Sequence, residues 1–330
     1  MPAIHHDVVG IGNAIVDVIA HADDAVIEEL GLNRGTMTLV DAETVARLYD
    51  RMGPAVEVSG GSAANTIAAL ASLGGRGAFI GKVSDDQLGT IFRHDITSLG
   101  ISFLAEPSGG GTPTGRCLIF VTPDAHRTMQ TFLGVSAELA PGDIDEAAIA
   151  GARVTYLEGY LWDRPAAKDA FRKAAQVAHD AGRLVALSLS DPFCVDRHRA
   201  DFRTLVEHHV DVLFANEDEI VSLYQEHSFD AALQQVRHHC WIAALTRSEK
   251  GSVIVSNDEV HVIDVEPVES VVDTTGAGDA YAAGFLFALT REMDLALCAR
   301  VASLCAAEAI GHMGARPERS LAGLVAERLA

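Results

Sequence analysis

Short apolar runs alternate with longer amphipathic stretches through the second half of the chain. Residues 154–157, 184–189, 212–215 and 242–246 are compact aliphatic blocks that end in polar or turn residues. Blocks of this kind suit parallel strands covered on both faces. Between them lie stretches of helical periodicity, such as 165–181, opened by Asp163 and Pro165 and closed by Gly182. Repeated β-α units of this length predict a mostly parallel sheet with helices on both sides. Functional residues are then expected at the carboxyl ends of the strands.

The first 135 residues are less regular. Residues 8–12 read as a strand, and 62–73 as a helix capped by Ser62. Two apolar runs, 116–122 and 128–133, flank Pro123-Asp124-Ala125-His126-Arg127 and predict a hairpin. The glycine-rich stretch 108–113 before it reads as a hinge. Such a hairpin is equally a lid or an ordinary sheet edge at this stage. No repeat, low-complexity tract or long linker divides the chain, so one domain over 1–330 is expected.

Composition narrows the function. With 330 residues, 48% of them hydrophobic, the chain can bury a core without disulfides or structural metals. Its 46 acidic and 25 basic residues give a net charge of −21. That charge opposes nucleic acid and anionic membranes, so a small-molecule substrate is expected. An anionic ligand then needs a local site of backbone N–H groups and a few basic side chains. Five cysteines without a CxxC pair fit a reducing compartment. No basic leader with an apolar stretch is seen, nor a run of about 18 apolar residues. A cytoplasmic monomer or homodimer is the expectation.

The strongest local signal is Asp273-Thr274-Thr275-Gly276-Ala277-Gly278-Asp279-Ala280, followed by small and apolar residues. A glycine-rich turn that opens a helix leaves the first N–H groups unpaired, which makes an anion site. Asp279 beside that site suits a general base for an attacking hydroxyl. The bland alternative is an acid complementing the helix dipole. Val58-Ser59-Gly60-Gly61-Ser62-Ala63-Ala64-Asn65 reads as a turn and helix start whose backbone lets a ligand come close.

Together, in this order, the two strings resemble the signatures of the PfkB (ribokinase-like) carbohydrate and nucleoside kinases, and the likeness runs from Asp7 to about Pro317. The resemblance implies a three-layer α/β/α fold with a small β lid, formed by about 13–58 and 111–134. It implies in-line transfer from ATP, with Asp279 as base, N–H groups of Gly276, Ala277 and Gly278 on the moving phosphoryl, and no phospho-enzyme. Gly61, Ser62 and Asn65 are expected to line the acceptor sugar. Asn216-Glu217-Asp218-Glu219 resembles the family's NxxE motif, which makes Asn216 and Glu219 the expected Mg²⁺ residues, acting through water. Thr246, Ser248 and Gly251, with Ser303, are the expected contacts of ATP. Asp273 and Thr275 partly match a K⁺ site.

Substrate identity depends on the N-terminus. Gly10-Ile11-Gly12-Asn13-Ala14-Ile15-Val16-Asp17 is similar to the adenosine kinase branch of the family, which implies that Asn13 and Asp17 bind the nucleoside. A carboxylate at Asp17 can accept from both hydroxyls of a cis-diol. The hairpin string resembles the nucleoside-kinase lid, which implies that Arg127 reaches the phosphates on closure. Phosphorylation of the adenosine 5′-hydroxyl is the expected reaction, with a ribokinase or fructokinase activity as the alternative. Other motifs fail. Gly10-Ile11-Gly12 carries Ile15 where a dinucleotide fingerprint needs glycine, and Gly81-Lys82 is followed by Val83 where a P-loop needs Ser or Thr.

Overall fold

The four aliphatic blocks become adjacent strands because every second residue faces a different core. The computed structural model describes residues 2–124, 126–257 and 259–329; Ala125, in the expected hairpin turn, lies outside the described residues. Its strands are β1 (His6–Ile11), β2 (Ile15–His21), β3 (Met37–Leu39), β4 (Ala55–Gly60), β5 (Gly77–Ile80), β6 (Ser102–Phe103) and β7 (Thr114–Val121). They continue with β8 (Arg127–Gly134), β9 (Ala152–Glu158), β10 (Leu184–Ser188), β11 (Val212–Asn216), β12 (Ile242–Thr246), β13 (Ser252–Ser256) and β14 (Glu259–Ile263).

The large sheet runs β14-β13-β12-β11-β10-β9-β1-β5-β6. From β12 to β6 every neighbouring pair is parallel, and β13 and β14 extend it as antiparallel strands. Val212 and Phe214 enter one core, while Leu213 and Ala215 enter the other. Both faces are therefore dry, which is why these strands read as continuous apolar blocks. Helices Ser62–Ser72, Ala277–Leu289 and Leu295–Ala309 cover the first face through Ile67, Phe285 and Ala302. Helices Pro165–Asp180, Pro192–His209 and Glu217–Tyr224 cover the second through Phe171, Phe202 and Ile220. This is the expected three-layer α/β/α fold.

Two helix starts differ from expectation. The Pro165–Asp180 helix begins at Arg164 without a side-chain cap, because Asp163 is engaged by Arg197 and His198. The Ser62–Ser72 helix is capped by Gly61, not Ser62, and the freed Ser62 hydroxyl turns to the site described below.

A second sheet, β3-β8-β7-β2-β4, contains the expected hairpin as β7 and β8. Val16, Val18, Leu118 and Phe120 point from it into the main core, together with Val45 and Leu48 of helix Ala42–Tyr49. The opposite face carries a small cluster of Cys117, Ile119 and Val121, flanked by Ile15, Ile19 and Met129. Period-2 alternation puts Asp17 on that same face. Among the described residues no helix is long and apolar enough to cross a membrane.

Candidate active site

Helix Ser62–Ser72 packs beside helix Ala277–Leu289, and this contact joins the two glycine motifs. Ser62 Oγ donates to Asp279 Oδ1 at 2.6 Å, and Asn65 Nδ2 lies 3.4 Å from Oδ2. Asp279 is half-buried at the helix start. Burial raises its pKa to about 6, against the lowering effect of Ser62, Asn65 and Arg316. Gly276 adopts φ +78°, which a side chain rarely tolerates, and a Cβ there would lie 2.6 Å from that of Ala315. At Gly278 a Cβ would meet nothing within 4 Å, so the chain faces open space.

The free donors differ by one residue from expectation. Ala277 N–H is turned towards Thr274 O at 3.3 Å. The N–H groups of Gly276, Gly278 and Asp279 have no acceptor among the described residues. The bare amides of this turn are therefore Gly276, Gly278 and Asp279 rather than 276–278.

The acceptor side is built at the ends of β1 and β9. Glu158 accepts from Ala63 N at 2.7 Å and from Asn13 Nδ2 at 2.6 Å, which ties the β1 exit to the helix start. Burial raises Glu158 to about 7. Asn13 also accepts from Ser136 Oγ at 2.9 Å and is 2% exposed. Both ends of the Asn13 amide are thus engaged within the protein, and the residue also lines the pocket described below. Gly61 seats against the same loop: its φ is +100°, and a Cβ would lie 2.1 Å from Asn13 O. Asp17 is different. It is half-buried, accepts no hydrogen bond among the described residues, and has a pKa raised to about 6 by burial. Gly60 leaves it room, since a Cβ there would come within 2.5 Å of Oδ2.

Arg127 is no solvated loop residue. It opens β8, is 9% exposed, and places Nη1 3.0 Å from Asp273 Oδ2 and 3.2 Å from Thr275 Oγ1. Asp273 also accepts from Gly314 N and from the N–H and hydroxyl of Thr275. All four lone-pair directions of this carboxylate are occupied. Asp273 and Thr275, the expected K⁺ residues, are engaged here with the Arg127 guanidinium.

The nucleotide side is built at the ends of β11 and β12, which lie across β10 and β9 from β1. Asn216 and Glu219 form a reciprocal cap: Asn216 Nδ2 and N–H donate to Glu219, and Glu219 N–H donates to Asn216 Oδ1. Burial raises Glu219 to about 7, with Asp191 and Asp218 adding to the rise. Among the described residues no group of three His, Cys, Asp or Glu could hold a metal directly. Hard oxygens with this much negative charge nevertheless fit a hydrated Mg²⁺. Thr246 ends β12, and Ser248 and Gly251 form the tight turn after it, both at positive φ. Arg247 between them is engaged by Glu217 and lies 4.1 Å over the Phe229 ring. Ser303 is 8% exposed in helix Leu295–Ala309, so it can offer a nucleotide only an edge.

Three features escape the sequence. Glu158 stands at a strand end, where position alone was a usable signal. Arg316, after the last motif, donates from Nε to Asn65 Oδ1 and from Nη2 to Ser59 O and Oγ, each at 2.8 Å. No local pattern marks it. A pocket of about 560 Å³ borders Asn13 and Thr131 and is walled by Leu39, Phe132, Leu133, Ala137 and Tyr160. It is assembled from five separate segments, so no window of sequence contains it.

Comparison with known proteins agrees with this fold. A family model described as pfkB family carbohydrate kinase matches residues 42–320. The crystal structure of adenosine kinase from Sinorhizobium meliloti is 51% identical, with a TM-score of 0.91, over 98% of this chain and 99% of that one. A probable sugar kinase protein from Rhizobium etli is 45% identical, with a TM-score of 0.92 and 98% of both chains covered. The ATP-dependent ribose-1-phosphate kinase of Halopiger xanaduensis is 30% identical over 265 residues, 78% of this chain and 82% of that protein. Kinases of this family use ATP as co-substrate, usually with Mg²⁺. A fold, two paired glycine motifs and a family match over most of the length converge, and the chain belongs to the PfkB family of carbohydrate kinases as an ATP-dependent phosphotransferase.

Proposed function

We propose that the chain is an adenosine kinase, transferring the γ-phosphoryl of ATP to the 5′-hydroxyl of adenosine. The observation that carries this reading is the distance from the Asp17 carboxylate to a pocket with aromatic and aliphatic walls and a polar, charged rim. Asp17 is aligned with Cys117, and Cys117 with Thr131, across β2, β7 and β8. Thr131 lines the pocket walled by Phe132 and Tyr160. Two ladder steps span about 10 Å, the reach of a ribose plus a base. A bare hexose or pentose has no group to place in that pocket. Adenosine puts a cis-diol on Asp17 and a flat apolar ring between Phe132, Leu39 and Tyr160.

Charge narrows the acceptor further. Asp17 and Asp279 both face it, and each ionised form repels a phosphate. A neutral polyol is therefore favoured over an acceptor such as ribose 1-phosphate. In the reaction, Asp279 takes the 5′-hydroxyl proton while the oxygen attacks the γ-phosphorus and the bond to ADP breaks. The amides of Gly276, Gly278 and Asp279 receive the charge gathering on the phosphoryl oxygens. Asn216 and Glu219 would hold Mg²⁺ through water, and the ion would neutralise the ATP phosphates. Thr246, Ser248 and Gly251 form the nucleotide side, with Ser303 at its edge.

The small sheet acts as a lid, over about 13–58 and 111–134. Arg127 latches it to the body through Asp273, within reach of the transferred charge, and closure excludes water as a competing acceptor. The test is an acceptor panel of adenosine, inosine, ribose, fructose and ribose 1-phosphate with Mg-ATP, reading ADP. Adenosine is expected to give the highest kcat/KM, by about 10²-fold over the free sugars. Turnover of a sugar at the level of adenosine would overturn the nucleoside assignment.

A further inference from the structure

The guanidinium of Arg316 meets both motifs without belonging to either. It follows helix Leu295–Ala309 in the chain, yet Nε and Nη2 are bonded to Asn65 and Ser59 at the other end of the sequence. Ser59 is held in turn by Asp95 of helix Gln87–Ser98, through its N–H and its hydroxyl. The remaining nitrogen, Nη1, has no acceptor among the described residues. Asp17, Asp95 and Asp279 are the charges that act on this guanidinium.

We propose that Arg316 is a positioning residue for phosphoryl transfer, which orients Asn65 towards the base and holds one positive charge between the carboxylates of Asp17 and Asp279. The proposal rests on the reading of those two acids as acceptor ligand and base. The two ends of the Asn65 amide differ only in being donor or acceptor. Arg316 Nε can only donate, so it requires Oδ1 on its own side. Nδ2 is then turned towards Asp279 Oδ2. Without Arg316 the amide is free to flip, and its oxygen would face a carboxylate. The ionisable groups that interact electrostatically with Asp279 are Asp17 from β2, Tyr156 and Glu158 from β9, Tyr160 just beyond it, and Arg316. Only Arg316 among them is positive. Arg127 also acts on Asp17, but it is paired with Asp273. A base flanked by another acid needs such a cation to stay ionised near neutral pH.

Two variants separate positioning from mere packing, with adenosine and Mg-ATP as probes and Tm as the check on folding. Arg316→Gln removes the charge and keeps a side chain able to donate to Asn65. Its acidic limb in kcat/KM is expected to move up by about one pH unit, with kcat/KM at pH 7 lowered about two- to threefold, at pH 6 by more, and restored at pH 9. Arg316→Lys keeps the charge and loses the fork. Its limb is expected to stay in place while KM for adenosine rises about tenfold. A packing role would lower Tm in both and move neither the limb nor the KM. A folded Arg316→Gln enzyme with the wild-type profile overturns the proposal, and so does failure of both variants to fold. If the wild-type enzyme phosphorylates no acceptor in the panel, the functional reading falls first, and that outcome is visible without either variant.

Discussion

Replacing Asp279 by Asn is expected to lower kcat by about 10²–10³-fold while the protein stays folded and still binds its acceptor. The amide keeps the size of the side chain and its contact with Ser62, but it cannot take a proton from the attacking hydroxyl. The loss corresponds to about 3–4 kcal/mol of transition-state stabilisation. The wild-type enzyme should show the matching pH dependence. Burial raises both Asp279 and Asp17 to about 6. Each must be ionised to act, so kcat/KM is expected to be level above that range and to fall as pH is lowered through about 6. Because the two acids interact, the limb belongs to the pair rather than to either residue. Steady-state kinetics from pH 5 to 9 checks both statements. An Asp279→Asn enzyme within threefold of wild type would remove the residue from its role.

The second large effect is at Asp17. Asp17→Ala is expected to lower kcat/KM for adenosine by about 10²-fold or more, chiefly through KM. The carboxylate stands half-buried without a donor among the described residues, so a ligand's hydroxyls are its natural partners. A cycle with deoxynucleosides isolates the contact. In wild type, 2′-deoxy- and 3′-deoxyadenosine should each lose an order of magnitude or more. In Asp17→Ala they should lose little beyond the loss already made, because the partner is gone. Equal penalties in both enzymes would show that Asp17 does not touch the diol.

How far the chain announces this site depends on where its parts lie along the sequence. The strands 212–216 and 242–246 are legible because both faces are dry and their ends are marked by polar residues. Asp279 is legible because its turn, its glycines and its helix are contiguous. Arg127 is legible as a residue but not in its setting: position in a hairpin suggests a solvated tip, whereas the structure buries it against Asp273. The same ion pair explains why Asp273 and Thr275 look like a cation site in sequence and hold a guanidinium in structure. The partners of Asn13 are likewise illegible, since only the fold brings up Glu158 and Ser136 to its amide. Arg316 and the Phe132–Tyr160 pocket depend on contacts between distant segments, which no local periodicity encodes.

The proposed reaction requires one acceptor oxygen between the Asp279 carboxylate and the phosphoryl seat at the bare amides. A crystal structure with adenosine and a non-hydrolysable ATP analogue tests it most directly. The expected result is a 5′-oxygen within about 3 Å of Asp279, ribose hydroxyls on Asp17, the ring beside Phe132 and Tyr160, and a γ-phosphate at Gly276, Gly278 and Asp279. Adenosine bound with its 5′-oxygen remote from Asp279, or a γ-phosphate seated away from those amides, would contradict the account.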